Sequence, residues 1–171
     1  MRRRGLAYIL LALCVAAAAG CAGKTPRTGN TFLDLLQDVR SYSLIDLSDG
    51  REAGTAGHLY STNGFPAETR RDHIVVGNSA FPKARVRPGK TNFPAEDFRY
   101  IFTHHVDRPP CDCIRREVLG LILFGSNRSL LGSITVDNHE GFRLEDVEGH
   151  SMERTSEREV WAKVMRSLTG K

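Results

Sequence analysis

Apolar residues recur along this chain with two different periods, and the change of period divides it into helical ends and a strand-rich middle. In "NTFLDLLQDVRSY", Phe32, Leu35, Leu36 and Val39 fall at i, i+3, i+4 and i+7, the stripe of one helix face. Thr31 is placed to cap that helix, and Asp34 falls in its first turn, where a negative charge is favoured. "SEREVWAKVMRSLTGK" follows the same logic at the other end. Val160, Trp161, Val164, Met165 and Leu168 share one face, so Trp161 reads as a core residue rather than a ligand platform. Ser156 and Glu159 have capping-box spacing, Glu159 and Lys163 can pair at i, i+4, and Gly170 lies just past the end.

Between these helices the signals have period two or are short apolar runs. "YSLIDLS" (Tyr42–Ser48), "HIVVGN" (His73–Asn78) and "RYIFTHHV" (Arg99–Val106) read as strands. "HLYSTNGFP" holds Asn63-Gly64, a tight-turn pair. "VLGLILFG" (Val118–Gly125) is apolar on both faces and therefore central and buried. "LLGSITVDN" and "GFRLEDV" follow it after turns at "SNRS" and "NHEG", so the three form an antiparallel meander. The segment Phe81–Pro94, with its prolines and glycine, reads as a long connection. The fold class expected is α+β: an antiparallel sheet of about five to six strands, with the N- and C-terminal helices packed on one face. One domain, residues 31–171, holds all of it.

The first residues follow a different rule. "MRRRGLAYILLALCVAAAAGCAGK" places three arginines before an apolar run, Leu6 to Ala19, that ends in small residues, the order of an export signal. The run is too short to span a bilayer, which takes about 20 residues. Ala18-Ala19-Gly20-Cys21 resembles the lipobox of bacterial lipoproteins, with Ala18 where leucine is commoner. The resemblance implies a signal peptide over residues 1–20, cleavage before Cys21, a diacylglyceryl group on its sulfur and acylation of the new amino terminus. Acyl chains attached together at one residue hold a membrane firmly, at about 0.8 kcal/mol per buried methylene. Residues 21–30 would be a lipidated tether. Its nine residues from Ala22 to Asn30 reach roughly 15–18 Å root-mean-square. Ala22 stands where an aspartate would mark inner-membrane retention in many such lipoproteins. The expected location is therefore the outer membrane, facing the periplasm.

Cleavage after residue 20 leaves 151 residues and removes Arg2, Arg3 and Arg4 but no acid. Of 24 basic residues 21 remain against 20 acidic, and the formal charge falls from +4 to +1. The mature chain therefore lacks the basic excess that nucleic acid would require. With Cys14 lost and Cys21 acylated, only Cys111 and Cys113 of the four cysteines are left to pair.

Candidate chemistry concentrates in "THHVDRPPCDC". Cys111 and Cys113 with His104 or His105 offer a zinc-like or copper(I)-like ligand set. Zinc pairs usually have two to four residues between cysteines and this pair has one. Neighbouring histidines on a strand would point to opposite faces. An oxidised Cys111–Cys113 bridge pinning a loop, or pairing to another chain, is the favoured expectation. Its loop closure is worth only about 1.6 kcal/mol. Lys83, Arg85 and Arg87 alternate in "PKARVRPGK" and would form one cationic face on an extended segment, suited to anionic lipid or to blunting a sheet edge. Asp72-His73 and His150-Ser151 are fragments from which a hydrolytic triad could be built. No G-x-S-x-G elbow, H-E-x-x-H or phosphate-cradling glycine loop is present. His139-Glu140 in "DNHEG" reads as a turn. The function expected is a lipid-anchored envelope protein that binds a partner or plays a structural part, without catalysis or a cofactor. The alternatives are a periplasmic copper- or zinc-binding protein and a hydrolase.

Overall fold

The computed structural model describes residues 29–48, 59–60, 71–89, 92–107 and 115–170. Helix α1 (Gly29–Asp38) leads into β1 (Ser41–Asp46). A short strand β2 (Leu59–Tyr60), then β3 (His73–Val76) and β4 (Ser79–Pro82), precede a 3₁₀ turn and β5 (Val86–Pro88). Helix α2 (Ala95–Thr103) is followed by β6 (Glu117–Phe124), β7 (Leu130–Asp137), β8 (Gly141–Asp146), β9 (Ser151–Thr155) and α3 (Arg158–Thr169). Six strands form one antiparallel sheet in the order β5-β1-β6-β7-β8-β9, and β2-β4-β3 form a second. The fold is α+β, with a helix near each end of the described chain.

Strand β6 explains the layering. Leu119, Leu121 and Leu123 face one way and join a cluster with Phe32, Leu35 and Leu36 of α1, Phe98, Ile101 and Phe102 of α2, and Val164 and Leu168 of α3. Ile122 faces the other way and joins Ile45, Leu47, Val76 and Phe81. All three helices thus cover one face, and the small sheet covers part of the other. Side chains alternate across a strand, so a strand buried on both sides must be apolar at every position. Gly120 is the exception that proves useful: a Cβ there would lie 3.2 Å from the Phe81 ring, so the bare backbone makes room for that ring.

Several local expectations change. Arg99–Val106 is not a strand. Its first half belongs to α2, where Phe98, Ile101 and Phe102 fall at i, i+3 and i+4 and are all buried, with Glu96 and Asp97 in the first turn. The β-favouring Tyr100, Ile101 and Phe102 are overridden by a helical stripe that begins one residue before the segment. Phe81–Pro94 is not a plain connection, since it contains the end of β4 and all of β5. Helix α1 starts at Gly29, which puts Thr31 and Asp34 inside it rather than at its cap and first turn. The capping box is absent: Glu157 is the cap of α3 without a side-chain bond, and the Ser156 hydroxyl donates to the Glu157 carbonyl. Lys163 reaches Asp97 on α2 at 2.7 Å. Gly170 does end α3 in the left-handed conformation (φ 71°). Trp161 packs partly buried against the core, and its indole N–H donates to the Asp137 carbonyl at 3.1 Å. The Asn63-Gly64 turn lies outside the described residues.

Phe81 is fully buried between the small sheet and β6. Phe81→Ala is therefore expected to cost about 3–5 kcal/mol, read as a lower midpoint in denaturant unfolding. An unchanged midpoint would mean that the second layer contributes nothing to the core.

Candidate binding cleft

The residues singled out for metal chemistry diverge at the end of α2. His104 stacks on Tyr100, with ring centroids 4.2 Å apart. Its Nδ1 lies 2.8 Å from the Thr103 hydroxyl and 3.0 Å from the Tyr100 carbonyl, and its Nε2 has no partner among the described residues. His105 turns toward β9, where its Nδ1 accepts from the Thr155 N–H at 3.3 Å. Its Nε2–H then points at Asp107, 3.2 Å away. Of the pair, only His104 offers a ring nitrogen to a metal without breaking a bond. Cys111 and Cys113 lie outside the described residues, as does Cys21.

The basic trio does not lie on one extended segment. Lys83 and Arg85 sit in a 3₁₀ turn rather than an extended segment, and the Lys83 ammonium donates to the Arg71 carbonyl at 2.7 Å. Arg87 lies in β5, at the edge of the six-stranded sheet. His139 and Glu140 form a turn: the Asp137 carboxylate accepts from the N–H groups of His139 and Gly141, both at 2.7 Å. The imidazole of His150 faces carboxylates, Asp146 at 3.0 Å and Glu148 at 3.9 Å, rather than a serine.

That last group merits its geometry. One Asp146 oxygen accepts from the N–H groups of Glu148 and His150 at 2.8 and 3.0 Å, and the other faces His150 Nδ1. One ligand atom each from Asp146, Glu148 and His150 lies within 4.8 Å of the others, close enough to hold a divalent ion. Every one of these contacts is also what closes the turn between β8 and β9. Beside it, buried Glu145 accepts from the Asn78 N–H at 2.6 Å and from the Ser79 hydroxyl at 2.5 Å. The Asn78 amide donates to the Gly149 carbonyl at 3.1 Å. The β3–β4 turn is thereby locked against the β8–β9 turn. Gly77 (φ 54°) has no room for a side chain, since a Cβ would lie 2.5 Å from the Asp146 carbonyl.

A cleft of about 650 Å³ opens at the same strand end, across the sheet toward its β5 edge. Four separate elements build it. Arg40 leaves α1 with its N–H bonded to the Phe124 carbonyl at 2.8 Å, and Tyr42 follows on β1. The chain leaving β5 closes one side, where Gly89 donates its N–H to the Tyr42 carbonyl at 2.9 Å. A Cβ at Gly89 would meet the Tyr42 ring at 2.5 Å, so the backbone lies directly on the ring face. Phe93, just before α2, sits with its centroid 5.8 Å from that ring. Phe124 and Arg128 come from the end of β6 and the turn after it.

Two features of this cleft are chemical. Arg40 and Arg128 are both exposed, and neither guanidinium has a carboxylate partner among the described residues. Both central residues of the turn Ser126–Ser129, Asn127 (φ 57°) and Arg128 (φ 59°), are left-handed. Asn-Gly is the favoured pair for such a turn, and a left-handed non-glycine costs about 1–2 kcal/mol. Sequence reasoning missed both arginines. They stand 88 positions apart, in unrelated elements, and the only local hint was an arginine in "SNRS" where glycine would be easier.

No family model, curated protein or solved structure matches this chain.

Two substitutions test these local arguments by denaturant unfolding. Glu145→Ala leaves the buried Ser79 hydroxyl and the half-buried Asn78 N–H without their acceptor and is expected to cost about 3 kcal/mol. A loss below about 1 kcal/mol would show that the turns hold together without it. Arg128→Gly relieves the left-handed strain and is expected to add about 1 kcal/mol. Destabilisation instead would mean that the arginine supports the turn.

Proposed function

We propose that this chain is a bacterial envelope lipoprotein, held to a membrane through acylated Cys21, whose α+β domain is a non-catalytic binding module. The anchor rests on one observation: the charged, apolar and small-residue segments run in order to Gly20-Cys21. Gram-negative sorting with Ala22 after the cysteine puts it in the outer membrane, facing the periplasm. Among the described residues no helix is long and apolar enough to cross a bilayer. The binding role draws support from the cleft, which has the size of small-ligand sites and brings apolar walls together with a few polar groups.

The short tether makes the domain a surface-bound module rather than a freely ranging one. Its partner is then a component of the envelope within a few tens of ångströms of the bilayer.

Mass spectrometry of the full chain, produced with its own leader in a bacterium that processes lipoproteins, tests the anchor. The expected product starts at Cys21 and carries the added mass of a diacylglyceryl group and an amide-linked acyl chain. Cys21→Ala should abolish the modification and release the protein from the membrane fraction. An unmodified product that still carries residues 1–20 would overturn the proposal.

A further inference from the structure

We infer that the cleft between α1, β1 and the β6–β7 turn binds a small ligand with an anionic group, a carboxylate or phosphate, on an apolar or aromatic body. The inference deepens the binding-module reading and does not depend on the anchor.

Arg40 and Arg128 line the same cleft, and neither is neutralised by a carboxylate among the described residues. Two guanidinium groups at one opening match a carboxylate or phosphate, which arginine can grip with two parallel hydrogen bonds.

Phe93 and Phe124 are only partly buried and give the cleft apolar walls. The rings of Tyr42, Phe93, Phe98 and Phe142 follow one another from the cleft into the core at centroid spacings of 5.8, 5.3 and 6.0 Å. Phe93 is held firmly, because it stacks on buried Phe98, which in turn meets buried Phe142. A rigid aromatic wall loses little freedom when a flat or apolar body settles against it.

The backbone adds a third observation. Glu140, the other long side chain held left-handed at a hairpin turn, is engaged with Arg158. Arg128 takes the same conformation beside the cleft without such a partner. Strain of that kind persists where the side chain has a use.

The test uses the full-length lipidated protein in nanodiscs of a zwitterionic lipid, with empty nanodiscs as the blank. Titration calorimetry with 1-naphthyl phosphate and with 2-naphthoate distinguishes phosphate from carboxylate. At least one should bind saturably at one equivalent. Affinity should fall tenfold or more in Arg40→Gln and in Arg128→Gln, and recover in part in Arg128→Lys. Arg87→Gln, on β5 and outside the cleft, should bind as the parent does. Thermal unfolding of each variant separates a lost site from a lost fold. Arg128→Gly is the sharpest variant, since it should raise the unfolding temperature while it weakens binding. The inference is overturned if neither naphthyl probe saturates, if the arginine variants bind as tightly as the parent, or if inorganic phosphate alone binds as well as 1-naphthyl phosphate. Binding by a chain that proves not to be acylated would remove the anchor and leave the cleft. Acylation without binding would do the reverse.

Discussion

The structure depends on a single strand that has no wet side. β6 presents leucines to the helices and Ile122 to the small sheet, so neither layer can be removed without exposing it. Burial of one large apolar side chain is worth roughly 1.5–3 kcal/mol, and several act together here. The helices come from both sides of β6 in sequence, and the small sheet comes entirely from the chain before it. Each layer therefore has to be brought in from a distance, and β6 is the surface on which they meet.

Apolar cover does not fix where the small sheet sits, because hydrophobic contact is not directional. Buried carboxylates supply that precision. Glu145 accepts from the Asn78 amide and the Ser79 hydroxyl, while Asp146 organises its own turn through two backbone N–H groups. A charge almost fully out of water is costly unless every lone pair is used, so these bonds hold only in one registration of the two turns. This network also accounts for the clustering of Asp146, Glu148 and His150. Their proximity follows from closing a tight turn.

The cleft lies where this double cover gives out. Beside the start of β1 and at the end of β6, Phe93 and Phe124 are only half buried. Arg40 and Arg128 line the same opening. The domain thus carries buried, hydrogen-bonded carboxylates at the β8–β9 turn and two exposed arginines in the cleft. The proposed binding role rests on that cleft, independently of the lipid that would hold the domain in place.

Much of the architecture was legible in the residues themselves. The stripe of Phe32, Leu35, Leu36 and Val39, the two-faced run of β6 and the meander through β8 all follow from local periodicity, which records which sides of an element must be dry. The order of segments before Cys21 is equally local. Periodicity does not record what supplies the cover. The stripe of α2 was hidden by β-favouring residues, β9 and the small second layer were not anticipated as such, and His104 and His105 separated because one stacked on its helix and the other bonded to β9. Arg40 and Arg128 line one cleft only because β1 pairs with β6. Sequence alone determined which surfaces avoid water, since that is a property of each segment. Tertiary structure decided which distant side chains share a cleft, since that depends on strand pairing and on packing between segments with no pattern in common.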